Sequence, residues 1–332
     1  MPQPIADLHC DLLSFLVDHP SKTVEDPSSK ASFSQMKQGG IVFQALTIFT
    51  PTTPSAHLYG KKQLDAFSHL LQQRPHQYQL FDPSTSLPLD LQGPIQVSLV
   101  FENAQSICRE GHSLEEGLHF LEEVQSRFKH ILYISLTWDL ENRFGGGCGS
   151  SIGLKEEGKI LLEWMDRKKI AVDFSHASDP LAEAILNFIE KKSLQIPVLA
   201  SHSNLRAISP RERNLPLHIA QEIIHRKGLI GLNFFAPFIG KAPHDLLDHL
   251  ERLMALGGKE SISFGGDFFF LDDYPYLQKK YETTTAFFPE FSDASCYPFV
   301  LSLFQERLNL SPQEIQKIAS SNVQNYLKRL FS

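Results

Sequence analysis

The sequence is poor in the features that define several protein classes. No run approaches 18 consecutive apolar residues, so it offers no ordinary membrane-spanning helix. Met1 to Ile5 lack the charged-then-apolar layout of a secretory signal, and Lys328 to Ser332 are too polar for the tail that precedes a lipid anchor. The expectation is a cytoplasmic protein with no membrane association. The four cysteines, Cys10, Cys108, Cys148 and Cys296, are far apart and form no C-x-x-C pair, so reduced thiols are expected rather than disulfides or a zinc–thiolate site. Positive charge is short too: 31 Lys and Arg against 38 Asp and Glu leave a net charge of −7. With no basic run to follow a phosphate backbone, no nucleic acid partner is expected. Leu8 to Ser14 contain no glycine, which removes the phosphate-binding first turn of a doubly wound dinucleotide fold.

What is present is enough apolar residue, 42% of 332, to build a large core. Short β-rich runs recur at Pro4 to His9, Ile41 to Phe49, Ile95 to Glu102, His130 to Trp138, Lys169 to His176, Ile196 to His202, Leu229 to Phe234 and Ser261 to Asp267. Between them lie segments of helical spacing, among them Ser113 to Lys129, Glu156 to Lys168, Asp179 to Lys192, Pro216 to Lys227 and Pro243 to Leu256. Ser311 to Leu330 closes the chain, opened by a capping Ser311 with Pro312 and Glu314 behind it. Strand then helix, repeated, predicts an α/β fold of the (β/α)8 TIM-barrel type, with residues 1–332 as one catalytic domain. Two inserts interrupt the rhythm, near 51–94 and 268–295. The second is rich in aromatics, including Phe268, Phe269, Tyr274 and Tyr281. These are expected at the barrel mouth, where they wall a pocket, meet a second subunit in a homodimer, or pack the last helix.

Barrel enzymes carry chemistry at the C-terminal ends of their strands. Those ends hold His9 and Asp11, Glu102, His176, His202 and Asp267. His9 and Asp11, two apart on an extended strand, share a face. His176 and His202 are one strand–helix unit apart, and each follows a serine at the close of an apolar run, so neighbouring strands deliver both imidazoles to one rim. A lone carboxylate at the end of the apolar strand before Glu102 is costly unless cations compensate it. An all His, Asp and Glu set suits zinc, manganese or a similar divalent ion. Five ligands exceed one tetrahedral zinc but serve two ions that share a carboxylate. Asp267 is then free to carry a proton. Gly149 to Gly153 fits the G-x-S-x-G elbow of serine hydrolases, but no apolar strand precedes it.

These landmarks occur in a telling order: Asp7-Leu-His-Cys-Asp11, Gly39-Gly-Ile-Val-Phe-Gln44, the strand ending at Glu102, Tyr133-Ile-Ser-Leu-Thr137, Val172-Asp-Phe-Ser-His176, Val198-Leu-Ala-Ser-His202, Arg213-Asn-Leu-Pro216, Leu232-Asn-Phe234 and Phe264-Gly-Gly-Asp267. Over nearly its whole length the chain resembles the membrane dipeptidase (renal dipeptidase) family of zinc metallopeptidases, as a soluble, bacterial-type member with a metal-dependent hydrolase barrel. The resemblance implies two Zn2+, one held by His9, Asp11 and Glu102, the other by Glu102, His176 and His202. It implies a dipeptide substrate whose peptide bond is attacked by a metal-bridging hydroxide, Asp267 as proton shuttle, and Arg213 on the substrate carboxylate through its planar fork. Trp138, Asn142 and Asn233 are expected substrate contacts. The chain departs from the family pattern where many relatives have histidine at the position of Trp138, tyrosine at Phe235, and an acid and glycine at Phe269 and Phe270. Substrate preference is therefore expected to have moved. Two alternatives stay open: a related hydrolase acting on a lactone or cyclic amide, and an inactive metal-binding barrel.

Overall fold

The computed structural model describes residues 3–109 and 111–332. Met1 and Pro2, where the amino-terminal reading and the expected domain 1–332 begin, and Glu110 within that domain, lie outside it. Among the described residues nine parallel strands form one sheet: β1 (Ile5–Asp7), β2 (Ile41–Phe49), β3 (Tyr78–Leu80), β4 (Ile95–Glu102), β5 (Ile131–Ser135), β6 (Ala171–Asp173), β7 (Val198–Ala200), β8 (Leu229–Leu232) and β9 (Ile262–Phe264). β2 pairs with β1 on one side and β4 on the other, and β1 pairs with β9, which closes eight strands into a barrel. β3 adds to β4 from the insert at 51–94, which also carries the helix Ala56–Gln73; a strand there was not anticipated. The barrel strands, unlike β3, are buried along almost all their length, as expected of parallel strands covered on both faces.

Each predicted strand is present, but most stop short of the polar residue that ends the apolar run. β1 ends at Asp7, β6 at Asp173, β7 at Ala200 and β9 at Phe264, so His9, His176, His202 and Asp267 stand on irregular backbone just beyond. Strand alternation therefore does not pair His9 with Asp11. Asp11 has φ −90° and ψ 24° at the start of the helix Leu12–Asp18, and the chain turns to bring the two together. His176 (φ 67°) and Asp267 (φ 57°) lie in the left-handed region, which costs a non-glycine residue about 1–3 kcal/mol and commonly marks functional positions. Gly265 permits the close approach that precedes Asp267, since a Cβ there would stand 1.9 Å from the Ser201 carbonyl oxygen.

The inner faces of the strands, with Ala6, Phe43, Val100, Leu132 and Leu199, pack against Val323, Tyr326, Leu327 and Leu330 of the last helix, so that helix plugs the end opposite the ligands. Ser311 does open the final segment with a reciprocal capping box, yet the segment is not one helix. A π-turn at Lys317–Ser321 separates Pro312–Gln316 from Asn322–Phe331 and re-aims the plug. The helix Tyr297–Leu308 was not foreseen. Of the aromatics of the second insert, Phe268, Phe269 and Phe287 are buried against Phe235 and one another, while Tyr276 is exposed. All four cysteines are free and buried, and no helix among the described residues is long and apolar enough to cross a membrane.

Among the histidines away from the strand ends, His249 is fully buried. Its Nδ1 accepts from the Leu205 amide (3.0 Å) and its Nε2–H donates to the Ile239 carbonyl (2.8 Å), an arrangement that needs the neutral ring. Burial accordingly lowers its pKa. A lowered folded value means the unfolded chain protonates first as pH falls through about 6.5, so this contribution is present above that pH and lost below it. Urea unfolding should therefore show wild type losing more stability than His249→Gln between pH 7.5 and 5.5, by up to about 1.4 kcal/mol per pH unit. Parallel losses in the two proteins would contradict the assignment.

Candidate metal centre

The five expected ligands converge. Glu102, the last residue of β4, is buried and divides its carboxylate between two groups: Oε2 lies 3.1 Å from His9 Nε2, while Oε1 lies 2.7 Å from His176 Nε2 and 3.7 Å from His202 Nε2. Asp11 Oδ1 stands 3.9 Å from His9 Nε2, and the two histidine Nε2 atoms, of His176 and His202, are 3.1 Å apart. Two clusters able to hold an ion result, His9 with Asp11 and Glu102, and Glu102 with His176 and His202, both wholly buried. Ligands about 2.0–2.1 Å from a tetrahedral zinc lie about 3.3 Å from each other, and the observed separations straddle that value.

Hydrogen bonding behind the rings decides which nitrogen faces inward. The Tyr133 hydroxyl donates to the Leu8 carbonyl (2.8 Å), so toward His9 Nδ1, also 2.8 Å away, it can only accept. Ser201 Oγ donates to Asp173 Oδ2 and accepts from His202 Nδ1, both at 2.7 Å. His176 Nδ1 donates to Asp139 Oδ1 at 3.0 Å. In each neutral ring the proton is on Nδ1, and three Nε2 lone pairs point at one another and at Glu102. His9 Nε2, Asp11 Oδ1 and Glu102 Oε2 have no hydrogen-bond partner among the described residues. Lone pairs facing each other in a buried space need a cation between them.

The pKa shifts of the protein groups alone express the same demand. Burial opposes charge on His9, yet Glu102 raises its pKa to about 9; His176 rises as well, against burial and Arg213, through Glu102 and Asp139. Burial and the neighbouring His9 hold His202 well below its usual range, and burial with Glu102 pushes Asp11 up. The cage draws in positive charge, and divalent ions supply it without protonating the ligands. The donor set of imidazole and carboxylate fits such ions.

Asp267 lies 3.8 Å from His9 Nε2 by Oδ1, and its Oδ2 accepts from Asn233 Nδ2 at 2.8 Å. Burial, opposed by His9 and reinforced by Glu102, raises its pKa to about 6. Asn233 thus touches Asp267 and does not line the chamber in front of the cage. Asn142 is also outside it: its amide donates to Asn103 Oδ1 and the Leu136 carbonyl and accepts from the Phe144 and Gly145 amides, pinning the loop after β5. Trp138 does line the chamber, beside His176 and Phe49. Arg213 is buried behind His202, donating to Ser203 Oγ (2.9 Å) and the His202 carbonyl (3.1 Å); its Nε has no hydrogen-bond partner among the described residues, and the guanidinium lies over the ring of Phe238, a chamber residue. Phe235, Phe269, Leu277 and Tyr281 complete an apolar wall. Gly149 to Gly153 is loop, without the strand a nucleophile elbow requires. The orienting residues Tyr133, Ser201, Asp173 and Asp139 were not singled out by sequence; the serines before His176 and His202 were the available hint.

A model of the membrane dipeptidase family (peptidase family M19) matches residues 2–330. Among curated relatives, an uncharacterized dipeptidase of Schizosaccharomyces pombe is 26% identical over 231 residues, 64% of this chain and 51% of its own. The dipeptidase tcpJ of Claviceps purpurea is 27% identical over 229 residues, 65% and 49% of the two chains. The chain spans about half the length of these curated relatives. A metallo peptidase of Rhodobacter sphaeroides, solved with a phosphinate mimic of L-Ala-D-Ala, superposes with a TM-score of 0.83 at 18% identity over 100% of both chains. A second solved dipeptidase, of family M19, gives 0.82 at 19% over 100% and 99%. At these identities the two structures speak for the fold.

Removing the groups that fix the rings tests the centre directly. Tyr133→Phe and Ser201→Ala should each weaken zinc binding about 10–100-fold in a chelator competition while the far-ultraviolet circular dichroism stays unchanged. Unaltered affinity in both would count against the ring assignment.

Proposed function

Because the chain belongs to the membrane dipeptidase family of metallopeptidases, we propose that it is a dinuclear zinc dipeptidase, hydrolysing the peptide bond of small peptides. The observation that carries this reading is the inward convergence of three imidazole lone pairs on one shared carboxylate, with a buried acid of raised pKa beside them. His9, Asp11 and Glu102 would hold one ion and Glu102, His176 and His202 the other. When bound, such a pair supplies Lewis acidity and lowers the pKa of water.

The rest is work for the chain's own residues. Asp267, with a pKa near 6, is poised to accept a proton near neutrality and return it to the departing amine. Asn233 fixes one of its oxygens, so the other faces the cage. Arg213 makes one hydrogen bond from each of two nitrogens to the protein and keeps Nε unpartnered, which leaves donors for a substrate carboxylate. Trp138, Phe235 and Phe269 give the chamber an apolar wall facing the cage. Trp138 presents an indole N–H donor but no acceptor and no switchable proton, so it cannot take the acid–base part a histidine there would, and the walls favour apolar side chains.

Zinc analysis and a panel of L,L and L,D dipeptides test the reading. Asp267→Asn should reduce kcat by about 10²–10⁴ with zinc content unchanged, and Arg213→Ala should mainly raise KM for substrates with a free carboxylate. A zinc-loaded protein inert across the panel would overturn the dipeptidase reading. Activity indifferent to Arg213→Ala would turn it toward a lactone or cyclic amide.

A further inference from the structure

The helix Pro275–Tyr281 forms a strap between two spaces. Leu277 and Tyr281 face the chamber over the cage, a cavity of about 40 Å³, while Pro275, Tyr276 and Lys280 face an outer cleft of about 980 Å³. The chamber as it stands has room for about three waters, and displacing the strap would widen it toward the outer cleft, with which it shares Phe49, Trp138, Asp139 and Tyr274. None of the strap's seven residues is fully buried, so apolar packing alone does not secure it.

Asp139 secures it. This residue is buried and borders both spaces. Its Oδ1 accepts from His176 Nδ1 (3.0 Å) and from the Cys148 thiol (3.2 Å), and its Oδ2 accepts from Lys280 Nζ (2.7 Å) and from the Tyr276 hydroxyl. Lys280 also donates to the Tyr276 hydroxyl at 3.2 Å, so both strap residues close on one oxygen. Asp139, Cys148 and His176 lie close enough together to resemble an ion site, but the carboxylate is already engaged by His176, Lys280 and Tyr276.

We propose that Asp139 is a positioning residue that couples closure of the strap to ion binding at His176. An ion on His176 Nε2 fixes the ring, the fixed ring aims Nδ1–H at Asp139, and the oriented carboxylate holds Lys280 and Tyr276 down over the chamber. Coupling of this kind is reciprocal: a closed strap holds His176 in its ligating pose. The inference rests on the reading of the cage as a metal centre and adds to it the element that admits and confines substrate.

Hydrogen exchange of the strap amides, with and without Zn2+, reads the coupling without any substrate. In wild type, zinc should slow strap exchange at least about fivefold. In Asp139→Asn and in Lys280→Met, each verified by metal analysis to retain zinc, strap exchange should no longer respond to zinc. Cobalt-loaded Asp139→Asn should also show a shifted visible spectrum and about 10–100-fold weaker metal affinity. Lys280→Met changes a partly exposed side chain and so keeps the comparison valid if Asp139→Asn folds poorly. Among dipeptides, Lys280→Met should lower KM for bulky substrates relative to small ones. Zinc-independent exchange in wild type, or equal zinc protection in all three proteins, overturns the coupling and leaves the metal reading standing. Failure of wild type to bind zinc at all overturns both.

Discussion

One buried carboxylate sets the terms for the rest of the molecule. Glu102 sits at the end of an apolar strand with 2% exposure and faces three imidazoles and a second acid. A carboxylate removed from water costs several kcal/mol even after relaxation, and neutral imidazoles with inward lone pairs do nothing to offset it. Cations do. The fold must therefore deliver, from separate strands, ligands whose protons all point away, and a closed barrel is the architecture that places the ends of β1, β4, β6 and β7 around a common point.

Delivering them also requires departures from regular structure. The candidate ligands His9, Asp11, His176 and His202 stand beyond the strand ends, and His176 and Asp267 take left-handed backbone to turn their side chains inward. That strain is tolerable because each turn is held from behind: Asp173 accepts from the Ser175 and Ser201 amides and from the Ser135 and Ser201 hydroxyls, and Asp7 accepts from the His9 and Gly266 amides and the Tyr297 hydroxyl. Two acids that ligate nothing thus fix the loops that carry the ligands, and their own burial is tolerated because their oxygens are bonded.

The residues that converge on the cage were legible in the sequence because they end apolar runs, and a parallel strand buried on both faces leaves an unmistakable run. The residues behind them were not. His9 and Tyr133 are 124 positions apart, and only closure of the barrel makes them neighbours. Asn142 shows the converse: its place near the site suggested a substrate contact, but its amide is consumed by the loop it stabilises. β3 escaped because three residues carry no readable alternation, and the turn at Lys317–Ser321 because its sequence continues a helical pattern. The second insert was legible as a mouth, where Phe268, Phe269 and Phe287 are buried among one another.

The two ends of the barrel solve opposite problems. At the closed end Val323, Tyr326, Leu327 and Leu330 plug the barrel with largely apolar volume, and the Tyr326 hydroxyl is satisfied by the Val198 carbonyl at 3.2 Å. At the open end the polar groups must stay reactive, so they are held by charge and hydrogen bonds and roofed with aromatics from the second insert. Asp139 is where those two requirements meet, since it serves the ligand imidazole and the roof with the same carboxylate. A roof fastened by apolar contact would close whether or not the cage was ready. One fastened through a ligand's own hydrogen-bond partner closes best when His176 is already in place, which confines water exclusion to the state able to use it.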